Sequence, residues 1–322
     1  MPDRPDEDDE DDDAPAMLPA GDPFALQRQR AAETGGFLLE LQHHVLTWLP
    51  GRGERLVVCF DNLASVRETR DRTIWGQKHL LGRGFDLLGV QIKRKDWFRD
   101  AELIGALQGL QAGGFFRRFP QVSMYGASMG AFGALAFAPL APGCIVLAFA
   151  PQRSLDPGLC PFETRYRYAR SITDWSLPFS DAAAGLAAAG HAYLAFDPQM
   201  TEDRQHVEAL AGPNVTRLPL RHFGHKLPPS LLKMGVLKDL SLAALENRLT
   251  AQDFARLLRA RRRSVQWQID LLTRARKTGH QRLALPVAQA LAAENPNWRL
   301  RRLCRDLIHD LRLRDDLSLI HI

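Results

Sequence analysis

The chain has little that would cross-link it or tie it to a metal. Four cysteines, Cys59, Cys144, Cys160 and Cys304, stand with no C-x-x-C spacing, and Cys59 and Cys144 lie inside apolar runs. That pattern argues against a zinc site or a disulfide framework and fits a reducing compartment. No H-E-x-x-H or comparable histidine spacing occurs, so Asp197, His206, His222 and His225 are not read as a metal set, and no cofactor is expected. No run approaches about eighteen consecutive apolar residues, so no membrane span is expected. The first residues are acidic rather than a basic region followed by an apolar run, so no signal peptide is expected and the cytoplasm is the expected location. A Walker-type G-x-x-x-x-G-K-[ST] and a Ser-Gly-Gly phosphate loop are both missing.

What is present is a soluble composition with an uneven charge. Of 322 residues, 45% are hydrophobic and 25% charged, enough for one large domain or a domain with an appendage. Residues 1–13 hold nine acids and one arginine, a charge of −8, so the total of +5 leaves +13 on the remainder. The acidic run has no apolar residue to bury, which predicts a disordered tail to about Pro23. The most basic stretch, Arg259, Arg261, Arg262 and Arg263, lacks an aromatic stacking platform, so nucleic acid is not the expected partner.

Apolar runs of about five residues then alternate with helical patterns. Strands are expected at 56–60, 85–92, 121–125, 144–149, 191–196 and 215–219. Helices are expected near 71–82, 100–112, 128–138, 181–189 and 203–211. Two earlier runs, 37–42 and 45–49, read as a strand pair. This order predicts an α/β fold, a doubly wound, mostly parallel sheet covered on both faces. A Pro-rich insertion fills about 150–180. From Ser241 onward only helical spacing remains. Within it Leu271, Ala275, Gly279, Ala284, Ala288, Leu291 and Pro296 fall at spacings resembling one tetratricopeptide unit. The expected organisation is a tail over 1–23, a catalytic-type domain over 24–240 and a helical appendage over 241–322. A protein partner for that appendage is the alternative to a purely enzymatic role.

One run carries chemistry. Apolar residues ending at Tyr125 lead into Gly126-Ala127-Ser128-Met129-Gly130, followed by a small-residue helix pattern. A serine in this G-x-S-x-G pattern sits on a sharp strand-to-helix turn with its hydroxyl exposed. Glycines on either side let neighbouring chain pass without a Cβ clash. A nucleotide-binding turn of the short-chain dehydrogenase type would also use Gly126, Gly130 and Gly133. However, that turn should follow the first strand of its domain, and the Tyr-x-x-x-Lys pair of those enzymes is absent. A serine hydroxyl needs a histidine to take its proton and a carboxylate to orient that histidine. The strand at 191–196 ends in Asp197-Pro198, and the strand at 215–219 runs on to His222 and His225.

Over roughly residues 37–240 the chain resembles the α/β-hydrolase superfamily, in which the chain order is Ser, then Asp or Glu, then His. The resemblance implies Ser128 as nucleophile, His225 as general base and then acid, and Asp197 as orienting carboxylate. Asp203 is the rival acid and His222 the rival base. It also implies an oxyanion hole from the Met129 N–H and a second donor near Asn62, although the loop at 60–64 lacks the His-Gly-Gly-Gly run of lipases. Lys93, Gln152 and Arg165 stand at strand ends or in the insertion as expected substrate contacts. A basic rim there would suit an anionic acyl or glycan substrate, unless those arginines pair with Asp156, Glu163 or Asp174. The activity implied is hydrolysis of an ester, of acyl or O-acyl-glycan type, or acyl transfer, through an acyl-enzyme.

Overall fold

In a computed structural model, residues 21–67, 71–295 and 297–319 are described, with side chains to residue 312. The acidic run and Pro296 lie outside the described residues. Eight strands form one sheet: β1 (Phe37–Glu40), β2 (His44–Leu49), β3 (Arg55–Phe60), β4 (Asp86–Ile92), β5 (Gln121–Ala127), β6 (Ile145–Phe149), β7 (His191–Phe196) and β8 (Val215–Pro219). Their spatial order is β1-β2-β4-β3-β5-β6-β7-β8. β2 is antiparallel to both of its neighbours, and every other pair is parallel. This is the α/β-hydrolase arrangement that the resemblance implies.

The sheet is covered on both faces because its central strands are apolar at most positions. On β3, Leu56, Val58 and Phe60 face one layer, while Val57 and Cys59 face the other. That is the period-two alternation of a strand buried on both sides. The first layer holds α3 (Ala101–Ala112), α4 (Met129–Ala136) and α6 (Ala182–Leu186). The second holds α8 (Leu227–Lys233), α9 (Leu237–Leu245) and α10 (Ala251–Leu258), with Ala31 of α1 (Ala25–Thr34) at its margin. Short helices α2 (Gln77–Leu81), α5 (Arg167–Ile172) and α7 (Thr201–Ala209) lie in the connections. The helix expected over 71–82 shrinks to α2, flanked by Gly76, at φ +76°, and Gly82. Asp22, assigned to the tail, pairs with Arg28 and accepts the Phe24 N–H at 2.9 Å, so it anchors the start of α1.

The boundary expected at 240 falls inside α9. Leu240, Ala244 and Leu245 are buried against the sheet. The Leu245 carbonyl accepts from Ser123 Oγ at 3.0 Å and Gln121 Nε2 at 2.6 Å on β5. The hydroxyls of Tyr125 and Ser241 meet at 3.0 Å. Leu249, Phe254 and Leu258 carry the same core through α10. A separate apolar cluster begins only with α11 (Val265–Lys277), α12 (Gln281–Glu294) and α13 (Trp298–Leu319), built on Leu272, Ala284, Ala288, Leu300, Leu303 and Leu307. Helical periodicity alone does not distinguish a helix that covers a sheet from one that packs on other helices, so the composition change at Ser241 did not mark this junction.

Candidate active site

Ser128 stands where β5 turns into α4. Its backbone is at φ +52°, ψ −118°, a region side-chain-bearing residues rarely occupy. Holding it there costs of order 1–3 kcal/mol. Three absent Cβ atoms make the turn possible. One on Gly126 would lie 2.1 Å from the Gly130 carbonyl oxygen, and one on Gly130 would lie 2.5 Å from that of Phe60. At Gly133 it would strike the Phe60 ring at 2.6 Å. The Ser128 N–H donates to the Phe149 carbonyl at 2.8 Å, tying the elbow to β6.

The first N–H groups of a helix have no partner one turn earlier. Met129 is the first residue of α4, so its N–H stands beside the serine. The loop after β3 packs against this same turn through the carbonyls of Phe60 and Asp61 at Gly130. Asp61 is held by Arg72 and by the Ile92 N–H at 3.1 Å. Asn62 accepts the Ala64 N–H on its side chain at 2.9 Å and the Ser65 N–H on its carbonyl at 3.1 Å. Its loop is thus fixed next to the α4 N-terminus.

His225 meets the serine. Its Nε2 lies 2.9 Å from Ser128 Oγ and its Nδ1 2.7 Å from Asp203 Oδ2. These contacts suit a neutral imidazole that donates from Nδ1 and accepts from the serine hydroxyl. The ring is 21% exposed, whereas Asp203 is fully buried. Burial alone would raise the Asp203 carboxyl, but His225 and Arg165 outweigh it and hold it far below the usual carboxylate range.

The carboxylate that reaches the histidine is therefore Asp203, on the first turn of α7, and not Asp197. Asp197 turns back on the chain. Its Oδ1 accepts the Gln199 N–H at 2.9 Å, and its Oδ2 accepts the N–H groups of Phe223 and Gly224 at 2.8 and 2.9 Å. It clasps the loop that carries His225. The Asp-Pro pair ends β7 in a turn, which uses the Asp197 carboxylate locally, and the helix that follows brings Asp203 forward. His222, at φ +67°, faces the indole of Trp267 with ring centres 6.1 Å apart. Burial pushes its imidazole below the ordinary value.

The expected substrate contacts are placed differently. Lys93 binds Glu40 at 2.8 Å and the Leu41 carbonyl at 2.9 Å, at the β1–β2 end. Gln152 is buried, and its Oε1 accepts from Trp97 Nε1 at 2.6 Å while its Nε2 has no partner. Arg165 bonds Glu163 and Asp203. Arg153 pairs with Asp181 at 2.8 Å, and Arg170 donates to the Glu163 carbonyl. Arg153, Arg165 and Arg170 are thus spent on Glu163, Asp181 and Asp203, which removes their support for an anionic substrate.

Sequence reasoning gave Tyr166 no role here and offered Glu163 only as a partner that would neutralise an arginine. The Tyr166 hydroxyl lies 3.4 Å from His225 Nε2, the nitrogen that faces Ser128. Burial keeps its phenol protonated, well above the usual range. Glu163 is fully buried and bonds Arg165 at 2.6 Å and His206 Nε2 at 2.9 Å. Both lie in the run Glu163-Thr164-Arg165-Tyr166, where closely spaced acid, base and aromatic within an apolar, Pro-rich stretch were the available signal. Among the described residues, His44, Asp96 and Asp100 bring ligand atoms within 4.8 Å of one another. Arg94 bonds both of those carboxylates and His44 Nε2 bonds Asp96, while His44 Nδ1 is buried without a partner.

No family model matches the chain, and no curated protein matches its sequence. Solved structures do resemble it. The Pyrococcus furiosus esterase Pf2001 is 12% identical over 73% of this chain and 96% of its own, with a TM-score of 0.43. An esterase from Rhizomucor miehei is 12% identical over 70% and 91%, with a TM-score of 0.42. A puromycin-hydrolyzing peptidase from Mycobacterium tuberculosis is 12% identical over 66% and 39%, with a TM-score of 0.43. By its own strand order and its strand-to-helix serine elbow, the chain has an α/β-hydrolase fold.

Proposed function

We propose that this protein is a serine hydrolase acting on a small-molecule ester, with Ser128 as nucleophile, His225 as general base and then acid, and Asp203 as the orienting carboxylate. The observation that carries the reading is the unbroken line from Ser128 Oγ through the His225 ring to Asp203, at 2.9 and 2.7 Å. Those distances lie within the reach that proton transfer needs.

In this scheme His225 Nε2 takes the Ser128 proton as Oγ bonds to the ester carbonyl carbon. The carbonyl oxygen becomes an oxyanion facing the Met129 N–H and a second N–H near Asn62. The carbon–oxygen bond to the leaving alcohol breaks, and the imidazolium gives that oxygen the proton. Water then repeats the sequence on the acyl-enzyme and releases a carboxylic acid. An O-acylated sugar and a simple alcohol ester both satisfy this scheme.

A fluorophosphonate, which needs only an activated serine, tests the proposal without knowledge of the substrate. It should label the wild-type chain at Ser128 and leave Ser128→Ala unmodified. A panel of nitrophenyl esters of increasing acyl length should then show turnover that Ser128→Ala lacks. Equal labelling of wild type and Ser128→Ala would refute the assignment.

A further inference from the structure

The insertion between β6 and β7 stands where a lid would be expected, yet one part of it runs behind the reacting residues. Arg165 NH1 donates to Asp203 Oδ1 at 3.0 Å, the oxygen that His225 does not use. Its Nε and NH2 donate to Glu163, at 3.0 and 2.6 Å. Glu163 also accepts from His206 Nε2 at 2.9 Å, and His206 Nδ1 accepts the Arg153 N–H at 3.2 Å. Glu163, Asp203 and His206 are fully buried, and the Arg165 side chain is 18% exposed. Tyr166, the next residue, places its hydroxyl 3.4 Å from His225 Nε2 and its ring 5.3 Å from the Arg165 guanidinium.

A buried carboxylate with one oxygen on a histidine and the other unpaired would lose much of its solvation. A guanidinium fork fixes two carboxylates in one plane, which an ammonium does not do. We propose that Arg165, itself oriented by Glu163, is a positioning residue that holds Asp203 ionised and correctly rotated toward His225. The proposal rests on the reading of Ser128, His225 and Asp203 as a working triad.

The charge balance around His225 gives a sign. From the insertion come Arg165 and Glu163, together with the neutral Tyr166. From α7 come Asp203 and His206, and Asp197 sits beneath the histidine loop. On the loop itself are Arg221, His222 and Lys226, and the charge of Arg274 on α11 reaches His222. Removing only the Arg165 cation leaves Asp203 and Glu163 less compensated. The expected sign is a displacement of the labelling profile to higher pH.

The test is the second-order rate of fluorophosphonate labelling as a function of pH, alongside thermal melts. Arg165→Gln should raise the midpoint of the acidic limb by about half a pH unit or more and slow labelling near neutral pH by about tenfold. Arg165→Lys keeps the cation without the fork, so its limb should stay near the wild-type position while the rate still falls. A contribution from packing alone would lower the melting temperature and leave the limb in place. A folded Arg165→Gln with wild-type limb and rate overturns the proposal. Should Arg165→Gln not fold, the charge-balanced double variant Glu163→Gln/Arg165→Gln decides. Folded and at least tenfold slower, it supports the positioning role, whereas wild-type labelling overturns it. Wild-type protein that fails to label at Ser128 overturns the triad reading and this proposal with it, an outcome distinct from all the others.

Discussion

Asp203 and Asp197 serve one histidine from two sides: Asp203 Oδ2 lies 2.7 Å from His225 Nδ1, while Asp197 Oδ2 holds the N–H of neighbouring Gly224 at 2.9 Å. The first contact acts on the ring and the second on the backbone that carries it. Their replacements should therefore behave differently. Asp203→Asn should slow fluorophosphonate labelling by about 10⁴, the loss expected when the wrong imidazole tautomer is favoured. Asp197→Asn should slow it by about tenfold or less, because an amide oxygen in the place of Oδ2 still accepts the Phe223 and Gly224 N–H groups. It should also lower stability by about 1.5–3 kcal/mol through weakened charge-assisted bonds. The reverse ranking in a labelling time course would return the orienting role to Asp197.

The acid range should report on Glu163. Its carboxyl is buried, which would raise it, but His206 and Arg165 bring it down to about 2 from a usual 4.5. A depressed folded value means the stabilisation is fully present above about pH 4.5 and is lost as the pH falls toward 2. The shift corresponds to an order of 3 kcal/mol. Glu163→Gln should be less stable at neutral pH and should show a flatter fall in urea-melt stability across that window. A wild-type slope in the variant would mean that Glu163 is not held ionised.

Glycines should divide sharply by position. Gly126→Ala and Gly130→Ala drive a methyl group into backbone at 2.1 and 2.5 Å, so neither variant should give a folded, labelled protein. Gly105 lies in the interior of α3 with open space around its missing Cβ. Gly105→Ala should stabilise by about 0.5–1 kcal/mol through helix propensity. Differential scanning calorimetry would detect the gain, and a loss would show that the α3 surface is covered.

Truncation should locate the edge of the sheet-bearing body that carries Ser128. A chain ending after Asn247 loses Leu249, Phe254 and Leu258 from the sheet core, each worth about 1.5–3 kcal/mol when buried. It should be insoluble or strongly destabilised. A chain ending after Arg263 keeps them and removes the separate cluster of α11–α13. It should fold and label at Ser128, with some loosening of the histidine loop where Trp267 Nε1 had bonded the Arg221 carbonyl at 2.9 Å. Comparable labelling by both truncations would place the edge where the composition changes.

The sheet and its serine turn were legible in the sequence because their signals are local. Runs such as Leu56–Phe60 and Leu87–Val90 suit a sheet with both faces covered, and Gly126, Ser128 and Gly130 mark the turn once the missing Tyr-x-x-x-Lys pair sets the dehydrogenase turn aside. His225 followed from its place beyond the last strand. The choice between Asp197 and Asp203 depended on which carboxylate the turn after β7 consumes, and that is settled by backbone geometry across 26 and 27 residues. Arg165 read as a substrate contact, with Glu163 as its alternative partner, because Asp203 is brought to it only by the folding of the insertion over α7. Helix α9 was legible as a helix but not as a cover, since its partners Ser123 and Tyr125 lie more than a hundred residues away.

That last separation has a consequence for how the chain is made. The bond from Ser123 to Leu245 spans 122 residues. At a synthesis rate of about 5–20 residues per second, roughly 6–24 s pass between the emergence of the two ends. As that interval runs, Val57, Tyr125 and then Leu147 form an apolar surface that α9 has not yet reached. The nascent chain therefore has its serine turn before it has a closed back. The stretch from Asn247 to Leu258 must clear the ribosome before the sheet is sealed, so a stall in that region would leave an aggregation-prone intermediate with its front face already assembled.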